Sequence, residues 1–207
     1  MGVLPGNTRI DGDSCPCCGS AARTRFAAPM ARGDAWATAS VAECGACGTL
    51  AIPPTAPPAD RAGLPLRWLD VLSAPPRAIF GPAGDGAAGG GAAAVTVRMP
   101  LAQGPVWHEF RDNWWALSPG LHLWVPTIDG LKSLAAANGF VVDAVVPEAP
   151  VDHFVFSELI SRRVPPAHAS AALISERERD AMRRRARQCR TESRCPEATV
   201  RLRRGAA

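Results

Sequence analysis

Hydrophobic positions recur at helical spacing in T-I-D-G-L-K-S-L-A-A-A-N-G, where Ile128, Leu131, Leu134 and Ala135 share one face. Thr127 is placed to cap that helix, Asp129 suits its positive end, and Asn138-Gly139 supplies the stop. Upstream, V-T-V-R-M from Val95 to Met99 reads as a strand ended by Pro100. Downstream, F-V-V-D-A-V-V and V-D-H-F-V-F-S-E-L-I are separated by P-E-A-P. Their near-continuous hydrophobicity predicts two strands covered on both faces, as in an α/β sheet. A polar segment, S-E-R-E-R-D-A-M-R-R-R-A-R-Q, predicts a further helix capped by Ser175, with acids in its first turn and arginines toward its end.

Breaks in this pattern divide the chain. I-P-P-T-A-P-P, from Ile52 to Pro58, predicts a stiff extended linker, and P-A-G-D-G-A-A-G-G-G-A-A-A a glycine and alanine loop. The expected organisation is a cysteine ribbon with its linker over 1–58, an α/β domain over 59–164 and an arginine-rich tail over 165–207. From Ser175 to Ala207 there are eleven arginines against five acidic residues, so the basicity behind the net charge of +4 lies wholly in the tail. The tail is expected to be helical or disordered and to carry little of the core, so that the chain folds without it. No aromatic residue lies in that stretch, which removes the stacking surfaces of a single-strand binder.

The cysteines add a specific chemistry. Cys15-x-x-Cys18 is followed by Gly19, and Cys44-x-x-Cys47 by Gly48. Two intervening residues let both sulfurs of a pair turn toward one ion, and the glycine supplies a positive φ without steric cost. Cys15, Cys18, Cys44 and Cys47 are therefore the expected ligands of one structural Zn2+. Cys17 is the spare, because one intervening residue points its side chain away from that of Cys15 in extended chain. The gap between the pairs exceeds the roughly 15–20 residues usual for such sites, which a longer hairpin would absorb. Paired disulfides would need an oxidising compartment, and M-G-V-L-P-G-N-T-R-I-D-G-D has neither the basic start nor the apolar run of a secretory signal. Together with the lack of an apolar run long enough to span a bilayer, this points to a cytoplasmic protein without a membrane partner.

The order of parts resembles a group of bacterial zinc-ribbon class I S-adenosylmethionine-dependent methyltransferases. The resemblance is carried by the C-P-x-C-G-S and C-x-x-C-G ribbon and by W-W-A-L-S-P-G-L-H-L-W-V-P-T-I-D-G-L-K-S-L-A-A-A-N-G-F-V-V, with Ser157-Glu158 beyond it. It implies a reduced methyltransferase-like α/β domain matching the C-terminal part of the family's catalytic domain, with His122 as a general base. The cofactor-binding half is missing. Leu69-Asp70-Val71 is followed by Leu72, Ser73, Ala74 and Pro75 where glycines should come, and Gly84-Asp85-Gly86 leads almost directly into the strand at Val95. Each strand-helix-strand unit takes about 30 residues or more, and the stretch from Ala59 to Ala94 is too short for the strands that carry such a site.

Without that half, His122 reads as a packed histidine, and the cofactor-binding residues and any role for S-adenosylmethionine stay open. His108 with Glu109 and His153 with Asp152 are neighbours whose side chains diverge. Trp107, Trp114, Trp115 and Trp124 suit a core or an interface. Three function classes follow: a non-catalytic zinc-ribbon interaction protein with a protein partner, a methyltransferase completed by a partner or an atypical fold, and a nucleic-acid binder using the ribbon and the basic tail.

Overall fold

The computed structural model describes residues 14–21, 23–32, 35–52, 94–117, 123–165, 168–192 and 194–205. The linker from Pro53, the candidate motifs at Leu69-Asp70-Val71 and Gly84-Asp85-Gly86, and His122 lie outside the described residues.

Helices and two antiparallel sheets make up the described chain. Strands β1 (Arg23–Arg32) and β2 (Ala35–Cys44) form a long hairpin in register from Arg23↔Cys44 to Arg32↔Ala35. The hairpin takes up the extra length between the cysteine pairs. Short strands β3 (Leu50–Ala51) and β5 (Trp124–Val125) extend this sheet in the order β1-β2-β3-β5. The second sheet holds β4 (Ala94–Pro100), β6 (Phe140–Glu148) and β7 (Glu197–Arg204) in the order β4-β7-β6.

Among the described residues four α-helices accompany the sheets: α1 (Gly104–Phe110), α2 (Ile128–Ala137), α3 (Asp152–Ser161) and α4 (Glu176–Thr191). Thr127 caps α2 by accepting from the Gly130 amide, and Ser175 closes a capping box with Glu178 on α4. Both caps stand where the polar pattern put them.

Three expectations are corrected. Val151 to Ile160 contains not a strand but most of α3, whose His153, Phe154, Val155, Ser157, Leu159 and Ile160 are buried. A helix apolar on most sides and packed among other helices gives the same continuous run as a buried strand. Second, β6 is not covered on both faces: Val141, Val145 and Val146 are exposed, and the strand is an edge of an antiparallel sheet. Third, the basic segment is neither purely helical nor disordered. Glu197–Arg204 is the central strand, with Ala198, Val200 and Leu202 fully buried. The sheet thus draws strands from both sides of residue 164.

Two apolar clusters result among the described residues. One gathers Trp107, Trp114 and Trp115 with Phe154, Leu159, Met182, Cys189 and Cys195 between the helices and the ribbon hairpin. The other joins Val97, Met99, Val200 and Leu202 of the second sheet to Leu131 and Leu134 of α2, to Trp124 and to Cys15, Cys17 and Cys44. Trp107, Trp114, Trp115 and Trp124 are therefore core residues.

Because β7 supplies the pairing partner of both β4 and β6, truncation before Glu197 is expected to abolish the cooperative melting transition followed by circular dichroism. Retention of a sharp transition would show that the sheet does not need its central strand.

Candidate metal centre

Two equivalent turns carry the cysteines. The Cys15 amide donates to the Ser20 carbonyl at 2.8 Å and the Gly19 amide to the Cys15 carbonyl at 2.9 Å. In the second turn the Cys44 amide donates to Thr49 at 3.0 Å and the Gly48 amide to Cys44 at 2.8 Å. Gly19 and Gly48 hold φ of 74° and 70°, the left-handed conformation that a side chain disfavours.

The turns face each other and bring four sulfurs together. Cys15 Sγ stands 3.6 Å from Cys47 Sγ, Cys18 Sγ stands 3.6 Å from Cys44 Sγ, and all four lie within 4.8 Å of one another. Sulfurs bound at about 2.3 Å to one tetrahedral ion stand roughly 3.8 Å apart, so the cluster fits a four-thiolate metal site. Cys17 is buried nearby but is not one of the converging four.

The thiols differ in acidity. A hydrogen bond with Cys17 and then burial raise Cys15, while burial raises Cys18 and pushes Cys47 up to about 12. Burial also raises Cys44, but hydrogen bonds from the Cys47 and Ala46 backbone and from the Cys18 and Cys47 thiols outweigh it and bring it down to about 7. A bound cation must displace protons from the others, so acid competes with ligation.

Helix α2 is docked on the second turn. The Thr127 hydroxyl donates to the Cys47 carbonyl while accepting from the Gly130 amide at 3.0 Å. The helix N-terminus, with its partial positive charge, is thereby set beside the cysteine cluster. The fit is tight: a Cβ on Gly130 would lie 2.2 Å from Thr49 Oγ1 and 3.4 Å from Cys47 Sγ. Thr49 Oγ1 in turn accepts from Cys47 Sγ at 3.2 Å.

Of the other residues singled out in the sequence, His108 is exposed and Glu109 pairs with Arg185 of α4. Ser157 Oγ accepts from the Trp115 amide at 3.1 Å, and Glu158 pairs with Arg162 at 2.9 Å. His153 is 1% exposed and has a partner that its sequence neighbours do not suggest, Glu197, itself 2% exposed. His153 Nε2 lies 3.0 Å from Glu197 Oε2, and Trp114 Nε1 donates to His153 Nδ1 at 3.4 Å. That bond places the imidazole proton on Nε2, facing the carboxylate. Arg98 pairs with Glu197 and, at 3.0 Å, with Glu148, which also accepts from Thr199 at 2.5 Å.

The signal that could have found Glu197 is the alternation of Ala198, Val200 and Leu202 with Thr199, Arg201 and Arg203, a strand pattern that puts Glu197 at a strand start. Burial raises the Glu197 carboxyl, but its bonds to His153 and Arg98 outweigh this and hold it below the ordinary carboxylate range. Its chemistry is that of a satisfied buried ion holding α3, β4 and β7 together.

No family model, curated protein or solved structure matches the chain, so the residues and their geometry carry the functional reading. No helix among the described residues is long and apolar enough to cross a membrane.

Two outcomes follow. Gly130→Ala is expected to destabilise the fold by roughly 1–3 kcal/mol through overpacking against the cysteine turn, read as a lower denaturant midpoint with unchanged slope. For Glu197, a lowered folded-state pKa means that its stabilisation is present above the unfolded value near 4.3 and is lost as pH falls through the folded value. Glu197→Gln should therefore cost on the order of 1–3 kcal/mol at pH 7, and the gap from wild type should close on acidification. A gap independent of pH would refute the ionised role.

Proposed function

We propose that the chain is a zinc-organised, non-catalytic interaction module, in which a structural Zn2+ on Cys15, Cys18, Cys44 and Cys47 fixes the ribbon hairpin to α2 and so to the second sheet. The observation that carries the reading is the convergence of the four sulfurs at tetrahedral separations. A soft tetrahedral set of four thiolates selects zinc or iron among common ions. For zinc, four protein ligands close the coordination shell and leave no position for an activated water. The ion supplies rigidity. The chain's residues supply the rest, with Thr127 and Gly130 setting the helix against the site and Cys15, Cys17 and Cys44 sharing the core of the sheet.

Purified protein is expected to hold one zinc ion per chain by elemental analysis, colourless in the visible range where thiolate-bound iron absorbs. Cys18→Ser should lose the metal and the ordered ribbon together, because convergence of the ligands requires folding. Cys17→Ser should keep both. Equal loss in the two variants would remove the ligand assignment. The non-catalytic reading further expects no rise in melting temperature with millimolar S-adenosylmethionine. A site with a dissociation constant of roughly ten micromolar would add about 2.7 kcal/mol at a hundredfold excess, so a reproducible rise would restore the methyltransferase alternative.

A further inference from the structure

An interaction module needs a surface, and the strongest one described is cationic. On α4, Arg183, Arg187 and Arg190 follow one another at the i, i+4, i+7 spacing that puts side chains on a single helical face. They line an open groove of about 230 Å³ whose floor is Ala149, Val151 and Ala186.

The three arginines are not equally committed. Arg183 pairs with Glu176 at 2.8 Å and Asp180 at 2.7 Å. Arg190 makes one long bond, 3.5 Å, to the Ala149 carbonyl. Arg187 has no ion-pair partner among the described residues, and neither have Arg177 and Arg184 on another face of the helix, outside this groove, whereas Arg162 binds Glu158 and Glu178, Arg179 binds Glu176, and Arg185 binds Glu109. Arg187 and Arg190, without ion pairs and neighbours on one face of a rigid helix, over a floor without an acidic residue, are complementary to a pair of adjacent anions.

We propose that this face of α4 binds the phosphate backbone of a nucleic-acid duplex without reading its sequence. The spacing favours it. At 1.5 Å per residue Arg187 and Arg190 stand about 4.5 Å apart along the helix, on the order of the 3.4 Å axial step between successive phosphates of one duplex strand. The groove is smaller than the roughly 300 Å³ at which pockets begin to enclose small ligands, so its occupant lies across it. Its floor of two alanines and a valine offers no aromatic anchor for a protein partner. Nor does the segment from Ser175 to Ala207 offer an aromatic ring on which unpaired bases would stack. Binding along a duplex backbone remains.

The surface deepens the interaction-module reading and rests on it, but its test is separable from zinc. A fluorescently labelled duplex DNA is titrated with the full chain, with anisotropy read between about 50 and 200 mM salt. Wild type is expected to bind with affinity falling linearly on logarithmic axes. Arg187→Ala with Arg190→Ala should reduce that slope by about 1.8, at roughly 0.9 for each phosphate that is no longer neutralised. The control removes the same charge from another face of α4, through Arg177→Ala with Arg184→Ala, and should change the slope by less than half as much. Melting temperature and zinc content should be unaltered in both doubles, since all four side chains are exposed.

Equal weakening by the two doubles would reduce the effect to net charge and overturn the groove. So would tighter binding to single-stranded DNA, to polyglutamate or to vesicles of anionic lipid. No binding of duplex by a chain that still holds its zinc would overturn the surface alone and leave the zinc reading intact.

Discussion

One hydroxyl group sits where the halves of the molecule meet. Thr127 donates to the carbonyl of Cys47 and accepts from the amide of Gly130, so the cap of α2 and the anchoring of a cysteine turn are a single device. Everything on either side inherits its position from that junction. Toward the N-terminus it orients the turn that meets Cys15 and Cys18. Toward the C-terminus it sets the angle of the helix whose Leu131 and Leu134 pack on Val97, Val200 and Leu202. Gly130 is the spatial condition for the arrangement, since the room for its missing Cβ is taken by Thr49.

A second junction, polar and buried, holds the sheet where Glu197 pairs with Pro100 and Glu148. His153 and Glu197 are both shielded from water, and their bonds to Trp114 and Arg98 satisfy groups that would otherwise be costly to bury. The ion pair reaches from solvent-facing Arg98 inward, which eases the desolvation of the carboxylate by leaving its cation half in water. A cysteine cluster that fits a metal ion and a satisfied polar network tie together two apolar clusters among the described residues.

Local features were legible in the sequence. The two cysteine turns announce themselves because ligand spacing and the following glycine are set by backbone geometry over four or five residues. The caps at Thr127 and Ser175 are equally local. What was not legible depended on distant partners. The apolar run over 154–160 does not state whether neighbours approach from two sides or from all around, and only the packed helices decide it. The arginines of β7 drew attention to charge and hid a period-two pattern beneath it. Glu197 lies 44 residues from His153, beyond anything that spacing can reveal.

The position of β7 in the second sheet has a consequence for how the chain is made. Its partners are Ala94–Pro100 and Phe140–Glu148, yet neither pairs with the other, and both wait on residues 197–204. During synthesis, β4 and β6 leave the ribosome with unpaired backbone edges and gain their partner only after α4 has emerged. Loop closure over such separations is slow compared with hairpin formation. The ribbon, whose hairpin is local, is free to form early, while the nascent sheet stays open to pairing with other chains until residue 204 is translated. The charged Arg98 on β4 and Asp143 and Glu148 on β6 discourage that association while the sheet waits for its centre.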